Sequence, residues 1–271
     1  MTRKSKQPKL SARTSDKHIL YELAVQTPEA EVGFVDRMYR RHYGHSATRL
    51  REDFCGTALV ACEWVVRRRS NIAYGVDLDK PTLDWGFEHN VSMLPEDAVR
   101  RVHLIHDDVL NVTRPKVDIV VALNFSYFLF RELDQLVGYF RQARRSLHRD
   151  GLLILDTYGG YEAQKVMQEK TKNDGFTYIW DQAEYNPTND HCLCHIHFRF
   201  PDGTMMRRAF TYHWRLWTLG AIRDALRLAG FKSSEVYWEG DDGKGGGNGV
   251  FRRAEKAENC EGWNAYIVGV P

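Results

Sequence analysis

The sequence has no apolar run long enough to span a bilayer, and it has almost no excess of charge of one sign. Its 38 Lys and Arg residues nearly balance its 36 Asp and Glu residues, giving a net charge of +2. A body so close to neutral offers no broad basic surface to nucleic acid. The composition therefore predicts a globular protein and favours neither a membrane nor nucleic acid as its partner.

Residues 1–17 are polar and basic, and they lack the hydrophobic centre of a signal peptide. This composition predicts a disordered tail, followed by a single domain over residues 18–271. The five cysteines cannot all pair with one another, which favours a reducing compartment. We therefore expect a cytoplasmic location.

The most informative segment runs from Leu50 to Asp79 and is typical of a strand, a turn, a helix and a second strand. Gly56 forms the turn, and Thr57 is placed to cap the helix, whose apolar residues recur at helical spacing. Asp77 ends the second strand roughly 20 residues after Gly56, where this architecture holds a ribose diol. The segment predicts the first half of a nucleotide-binding unit.

Two positions in this segment argue against a dinucleotide. Phe54 and Ala58 stand where the G-x-G-x-x-G pattern has glycines that let the backbone approach a pyrophosphate. Glu52 and Asp53 add negative charge at the turn, which would repel a pyrophosphate but attract a ligand carrying an ammonium and a sulfonium. The charge pattern favours S-adenosylmethionine over NAD.

The segment resembles the first motif of the class I S-adenosylmethionine-dependent methyltransferases, which has an acidic residue, a Gly-Cys-Gly-Thr-Gly-like turn and a helix. The resemblance covers about residues 45 to 160 and resumes near 208. It implies that Glu52 faces the cofactor's amino group, Gly56 lets the backbone pass it, Asp77 binds the ribose and Asp108 meets the adenine amine. The predicted cofactor-binding residues are Glu52, Asp53, Cys55, Gly56, Thr57, Asp77, Leu78, Asp108, Val109 and Asn124.

Each of these assignments has a structural alternative. Glu52 and Asp53 could form an ordinary polar strand end, Asp77 could be a turn residue, and Asp108 could cap a helix. Their order and spacing together favour the cofactor site.

The remaining pattern predicts an α/β, Rossmann-like fold with a mostly parallel, seven-stranded sheet flanked by helices. Residues 46–160 form the cofactor-binding core, and residues 218–271 return to it with two closing strands. Between those two strands, residues 240–249 are rich in Gly and Asp, which predicts a solvated hairpin or a gating loop. The five core strands are predicted near residues 47–53, 72–77, 102–106, 117–123 and 151–156.

Residues 18–45 predict two short helices, interrupted at Pro28. In similar methyltransferases such helices lie over the cofactor as a lid. Tyr21, Gln26 and Tyr39 could accordingly face the site, or they could pack on the sheet.

Residues 161–217 predict an inserted antiparallel sheet that covers the substrate, with strands near 176–185, 191–200 and 204–217. In the middle strand the cysteines alternate with His191, His195 and His197 and so lie on the opposite face. A zinc site needs three or four converging ligands, so no metal is expected.

We predict transfer of a methyl group to N, O or S of a small-molecule acceptor, because the inserted sheet resembles substrate-covering elaborations in small-molecule methyltransferases. If a proton must be removed, Tyr127, His195, Tyr212 and His213 are the candidate catalytic residues, although each could equally be structural. RNA or protein is an alternative acceptor. A non-catalytic, cofactor-binding regulatory protein is a further alternative, motivated by the glycines missing at Phe54 and Ala58.

Overall fold

The computed structural model describes residues 10–243 and 246–271, and it divides the chain into two compact units. The insert unit contains the chain up to Gln26 together with Gln164–Arg215. The core unit contains Thr27–Ala163 and Leu216–Pro271. The segment predicted as one helical lid is therefore shared, with its first helix in the insert unit and its second in the core unit.

Seven α-helices are present in the described residues. They are α1 (Lys17–Val25), α2 (Pro28–Tyr43), α3 (Leu59–Arg67), α4 (Lys80–His89), α5 (Glu96–Val99), α6 (Leu133–Ser146) and α7 (Leu219–Leu228). None of the helices in the described parts of the chain is long and apolar enough to cross a membrane.

The strands fall into two sheets, one in each unit. The strands of the core unit are β1 (Arg49–Asp53), β2 (Ile72–Asp77), β3 (Val102–His106), β4 (Val117–Ala122), β5 (Leu147–Gly159), β10 (Ser233–Asp241), β11 (Gly247–Arg253) and β12 (Trp263–Val270). Those of the insert unit are β6 (Met167–Asn173), β7 (Phe176–Asn186), β8 (His191–Arg199) and β9 (Met205–Arg215).

The core sheet confirms the predicted α/β architecture but has eight strands instead of seven, in the order β11-β10-β12-β5-β4-β1-β2-β3. The five strands from β5 to β3 are parallel, whereas β12 runs antiparallel to β5. The eighth strand is β11, which pairs antiparallel with β10 and extends the predicted glycine-rich hairpin into the sheet. Lys244 and Gly245, within that hairpin, lie outside the described residues.

Helix α2 runs along the core sheet from one edge to the other. At its C-terminal end the hydroxyls of Tyr39 and Tyr43 donate to the carbonyls of Asp150 and Gly151, at 2.8 and 3.0 Å. These carbonyls lie between Leu147 and Leu152, which pair with the first residues of β4, so they mark the edge where the parallel strands begin, the amino edge. Tyr39 thus belongs to the amino edge and does not face the predicted cofactor site, which lies where the strands end, the carboxyl edge.

The insert unit contains the predicted antiparallel sheet, in the order β6-β7-β8-β9. Its first strand, β6, was not predicted from the sequence. Helix α1 packs on this sheet through Leu20, which joins a cluster with Phe176, Ile196 and Phe198. The ring of Tyr21 lies 4.9 Å from that of Phe210, so Tyr21 also packs on the insert sheet.

The predicted N-terminal tail is partly structured. Residues 1–9 lie outside the described residues. The backbone N–H of Thr14 donates to the carbonyl of Ser11 in a turn, and Asp16 caps α1 by accepting from the N–H of His18 at 2.7 Å. Ordered structure therefore begins before residue 18.

Candidate active site

The loop between β1 and α3 keeps a glycine-like backbone without the glycines. Phe54, Gly56 and Ala58 all have positive φ, at 58°, 53° and 59°. A non-glycine residue in this region costs on the order of 1–3 kcal/mol, so the surroundings must hold the loop in place. Phe54 is held by packing, with its ring 5.5 Å from that of Tyr139 and 6.0 Å from that of Phe130.

Neighbouring backbone groups fix the same loop from the side of β2 and α4. The N–H of Cys55 donates to the carbonyl of Val76 at 3.0 Å. A Cβ atom at Gly86 of α4 would lie only 2.5 Å from the carbonyl oxygen of Thr57, so this position requires glycine. The Cys55 side chain is buried, and burial raises the pKa of its thiol, which makes it a packing group of the loop and not a nucleophile.

Glu52 takes over the capping role that the sequence pattern predicts for Thr57. Helix α3 begins at Leu59, after Ala58, and Ala58 has no side chain that could cap it. Glu52 Oε2 instead accepts from the backbone N–H of Ala61, in the first turn of α3, at 2.9 Å. Burial raises the pKa of the Glu52 carboxyl well above its usual range, and the negative charge of Glu31 raises it further.

Asp53 is engaged by groups of the protein core. Arg51 approaches both of its carboxylate oxygens, at 2.7 and 2.8 Å, and the hydroxyl of Tyr139 donates to Oδ2 at 2.9 Å. Asp53 and Arg51 are each 1% exposed. Burial and these contacts give Asp53 a structural role in the core, in place of the cofactor role predicted from the sequence.

Asp77 joins the ends of the first two strands. Its Oδ2 accepts from the N–H of Gly56 at 2.8 Å, and its Oδ1 accepts from the N–H of Asp79 at 2.9 Å. The carboxylate therefore lies beside the loop, as the sequence spacing predicts. Next to it, Leu78 is 68% exposed, an unusual state for a large apolar side chain at the edge of a sheet.

Asp108 and Val109 follow β3 at the same edge. Asp108 is partly exposed, and its Oδ1 accepts from the N–H of Leu110 at 2.9 Å, as in a capping turn. Val109 is buried. Since β2 pairs with β3, the ends of these two strands bring together Asp77, Leu78 and Asp108.

The segment after β4 makes a second turn with positive φ, at Asn124 and Phe125 (54° and 58°). Asp156 of β5 holds it with both oxygens, accepting from the N–H of Asn124 at 2.7 Å and from that of Phe125 at 2.9 Å. Asp156 directly follows the apolar run of β5, so its position in the sequence already indicates the edge where a ligand is expected, although it does not indicate this role.

Tyr127, predicted as a candidate catalytic residue, lies in the core. Its side chain is 0% exposed, and its hydroxyl donates to the carbonyl of Asp156 at 2.8 Å. Burial raises the pKa of Tyr127 well above its usual range, and Asp156 raises it further. The residue therefore braces the turn after β4 and presents no group to an acceptor.

Glu31 was not predicted from the sequence as a site residue. It lies on α2, one turn before Phe34. It is 7% exposed, and its Oε2 is buried without a hydrogen-bond partner. Burial raises the pKa of Glu31 to about 7, with a further contribution from the charge of Asp156. Burial likewise raises the pKa of Asp156 to about 7. The carboxyl edge between β1 and β5 is thus rich in buried carboxyl groups, and such a site attracts a cationic ligand.

The other candidate catalytic residues belong to the insert unit and lie on different faces of its sheet. His195 pairs with Thr211 across β8 and β9, and its Nδ1 is 2.9 Å from the Thr211 hydroxyl. Burial lowers the pKa of His195, with a further contribution from Arg208, so the ring is neutral near pH 7. His213 shares this face and is exposed.

Tyr212 lies on the opposite face, with its ring 4.4 Å from that of Trp214. Burial raises its pKa well above the usual range. It is a core residue of the insert unit and a poor proton acceptor near neutral pH.

The predicted alternation of β8 is present, but its histidine face is not solvated as an ordinary polar face would be. His195 and His197 are 4% and 6% exposed. The N–H of Arg208 donates to His197 Nδ1 at 2.7 Å, so Nε2 carries the proton and donates to Asp181 at 3.0 Å. In residues 10–243 and 246–271, no three His, Cys, Asp or Glu side chains are grouped as a metal site would require.

Comparison with known proteins gives a likeness of structure only. No protein-family model matches the sequence, and no curated protein matches it. Among solved structures, the chain is similar to an S-adenosylmethionine-dependent methyltransferase from Clostridium acetobutylicum, with a TM-score of 0.67 and 18% identity over 92% of this chain and 96% of that one.

Two further structures are similar to the chain at nearly full length. The amino pentose methyltransferase CalS10 from Micromonospora echinaspora, solved with S-adenosylmethionine bound, has a TM-score of 0.66 and 15% identity, covering 94% of this chain and 96% of that one. The sugar N-methyltransferase KedS8 from Streptoalloteichus has a TM-score of 0.62 and 18% identity, covering 100% and 97%. The chain therefore has the class I methyltransferase fold.

Proposed function

We propose that this protein is an S-adenosylmethionine-dependent methyltransferase that acts on N, O or S of a small-molecule acceptor. The observation that carries the proposal is the position of Asp77. Its carboxylate, at the end of β2, is bonded to Gly56 in a loop whose backbone keeps three left-handed residues. A diol held by that carboxylate would lie against this loop.

The chemistry of the surrounding groups fits S-adenosylmethionine better than a dinucleotide. Burial raises the pKa of Glu31, Glu52 and Asp156, so a bound ammonium or sulfonium would stabilise their ionised forms, whereas a pyrophosphate would be repelled by them. Asp77 would hold the ribose, the exposed Leu78 would pack on the adenine, and Asp108 would accept from its amine. Gly56, Thr57, Val109 and Asn124 remain proposed lining residues.

The bound cofactor would supply a methyl group that is already activated. The protein then has to position the acceptor in line with the sulfur–carbon bond and exclude water. Where the acceptor must lose a proton, His195 and His213 remain the proposed bases. The pKa of His195 is lowered, which keeps its ring able to accept a proton near pH 7.

A small-molecule acceptor is supported by two features. The near-neutral net charge of +2 gives little attraction for RNA. Two of the similar structures are an amino pentose methyltransferase and a sugar N-methyltransferase, which favours an amine or hydroxyl on a sugar-like acceptor. The non-catalytic alternative was based on the missing glycines. Phe54 and Ala58 nevertheless adopt the positive φ that glycine favours, which removes that argument.

Calorimetric titration with S-adenosylmethionine and, separately, with NAD tests the proposal. We expect micromolar binding of S-adenosylmethionine and none of NAD. Asp77→Asn should weaken binding at least about tenfold, because a diol loses a charged acceptor. Asp118→Asn is the matched control, since Asp118 accepts from the N–H groups of Thr48 and Arg49 at the amino edge. Binding of NAD alone, or equal loss in both variants, would refute the proposal.

A further inference from the structure

We propose that Glu31 of α2 binds the α-ammonium group of the cofactor. This inference rests on the proposed function and deepens it, because it names the side chain that holds the cationic end of the ligand. The argument uses the contacts of the core unit alone.

The register of the core sheet brings two carboxylates, those of Glu52 and Asp156, to one face. Glu52 pairs with Val121, and Val121 pairs with Ile154, so these side chains share a face. Asp156 lies two residues beyond Ile154 on the same strand and therefore also points to that face. Across β12, Tyr266 pairs with Asp156 and points the same way.

Helix α2 lies on this face and brings Glu31 to the same place. The ring of Phe34 stacks on that of Tyr266 with centroids 4.1 Å apart. Glu31 precedes Phe34 by three residues, so it occupies the same side of the helix, one turn nearer its N-terminus. Glu31 therefore lies near Asp156, whose charge acts on it, and near Glu52, on which its own charge acts.

Glu31 differs from its two neighbours because one of its oxygens is buried without a hydrogen-bond partner. Glu52 bonds the N-terminus of α3, and Asp156 bonds two N–H groups of the turn after β4. Glu31 Oε2 is buried without a hydrogen bond. Among the described residues, no Lys, Arg or His forms an ion pair with Glu31. A buried carboxyl that lacks a partner is costly, and a cation would remove that cost.

The order of the strands indicates which end of the cofactor would meet Glu31. Asp77 and Asp108 follow β2 and β3, whereas Glu52 and Asp156 belong to β1 and β5 on the other side of the loop. A ligand with its diol at Asp77 and its base towards Asp108 has its remaining end directed towards β4 and β5. In S-adenosylmethionine, that end carries the α-ammonium.

Proton release gives the inference a signature that does not depend on catalysis. Burial raises the pKa of Glu31 to about 7, with contributions from the charges of Asp156 and Glu29. Glu52 and Tyr266 are further titratable groups, and the charge of Glu31 acts on both. A bound ammonium stabilises the ionised carboxylate and lowers that pKa. Binding at pH 6 should therefore release a proton, detected by calorimetry in buffers of different ionisation enthalpy.

The test compares two ligands and two variants. S-adenosylhomocysteine carries the α-ammonium, whereas 5′-methylthioadenosine has the same nucleoside and sulfur without the amino-acid portion. Glu31→Gln should weaken binding of the first at least about tenfold and leave the second within about twofold. It should also abolish most of the proton release. Glu29→Gln, an exposed glutamate on the same helix, is the matched control and should change neither ligand.

The outcomes separate the inference from the function on which it rests. Wild-type protein that binds neither ligand refutes the proposed function. Wild-type affinity of Glu31→Gln for S-adenosylhomocysteine, or equal loss of both ligands, refutes the role of Glu31 alone. Should Glu31→Gln fail to fold, Glu31→Asp keeps the charge but withdraws it by one methylene group, and the same selective loss is expected at smaller size.

Discussion

Helix α2 carries two buried carboxylates in opposite environments, Glu31 near the carboxyl edge of the core sheet and Asp36 nearer the amino edge. Near the carboxyl edge, Glu31 of α2 lacks a partner for one oxygen, and burial raises its pKa to about 7. Further along the same helix, Asp36 is equally buried but accepts from Arg68 at 3.0 Å and pairs with Arg40 at 3.0 Å. Burial alone would raise the pKa of Asp36, but Arg68 and the other arginines lower it. Asp36 is thus paired with cations and contributes to stability, whereas Glu31 has no such pairing among the described residues.

The largest effect expected from this comparison is a gain in stability at high pH from Glu31→Gln. In the folded protein Glu31 has a pKa of about 7, above its usual 4.5. Its carboxyl therefore makes its full contribution to the free energy of unfolding only below pH 4.5, where it is protonated in both states. That contribution is lost as the pH rises towards 7. We therefore expect Glu31→Gln to be more stable than wild type by on the order of 2–3 kcal/mol at pH 8.

Urea unfolding at pH 8 and at pH 4.5 measures this difference. The two proteins should have nearly the same free energy of unfolding at the lower pH, because Glu31 is then protonated in the folded state and still half protonated in the unfolded state. A variant that is less stable than wild type at pH 8 would contradict the comparison.

The second effect is smaller and has the opposite sign. Asp36→Asn removes the charge that Arg68, Arg40 and Arg67 share, and it should lower stability at pH 7 by about 1–2 kcal/mol. Because the folded pKa of Asp36 is lowered, its contribution is present above pH 3.8 and is lost as the pH falls through the folded pKa. The loss caused by Asp36→Asn should therefore shrink in acid, which thermal unfolding as a function of pH would detect. An increase in that loss in acid would contradict this prediction.

The smallest effect concerns the loop backbone at the carboxyl edge. Ala58 has a φ of 59°, which glycine adopts without strain. Ala58→Gly should raise stability by about 0.5–1 kcal/mol, since relief of strain slightly exceeds the added freedom of the unfolded chain. Thermal unfolding checks this, with Ala61→Gly in the interior of α3 as a control that should destabilise. Destabilisation by both changes would mean that Ala58 is not strained.

Periodicity and spacing are local properties, and they predict the fold well. The predicted strands at 72–77 and 102–106 coincide with β2 and β3, and Asp77 lies beside Gly56 as its spacing indicates. Strand β6 was missed because its residues are mostly exposed and polar, with no apolar alternation to find. Strand β11 was missed because its glycines are typical of a loop.

The side chains of the site were harder to predict, because their roles depend on contacts between distant segments. Asp53 has the right position in the motif, yet Arg51 and Tyr139 occupy it. Tyr127 follows the right strand, but the turn after β4 directs it into the core. Glu31 lies in an amphipathic helix where nothing in the sequence marks it as buried. Its burial is caused by the packing of α2 on the sheet face that carries Tyr266 and Asp156, which is a tertiary contact.

The aromatic anchor at Phe54 has a consequence for how the loop meets a ligand. A loop that depends on several glycines is mobile before binding and loses conformational entropy when it closes on its partner. Here Phe54 lies against Phe130 and Tyr139, and the loop is held before any ligand arrives. The ordering of this loop is accomplished during folding, so association requires little further loss of freedom, and the recognition surface is preorganised.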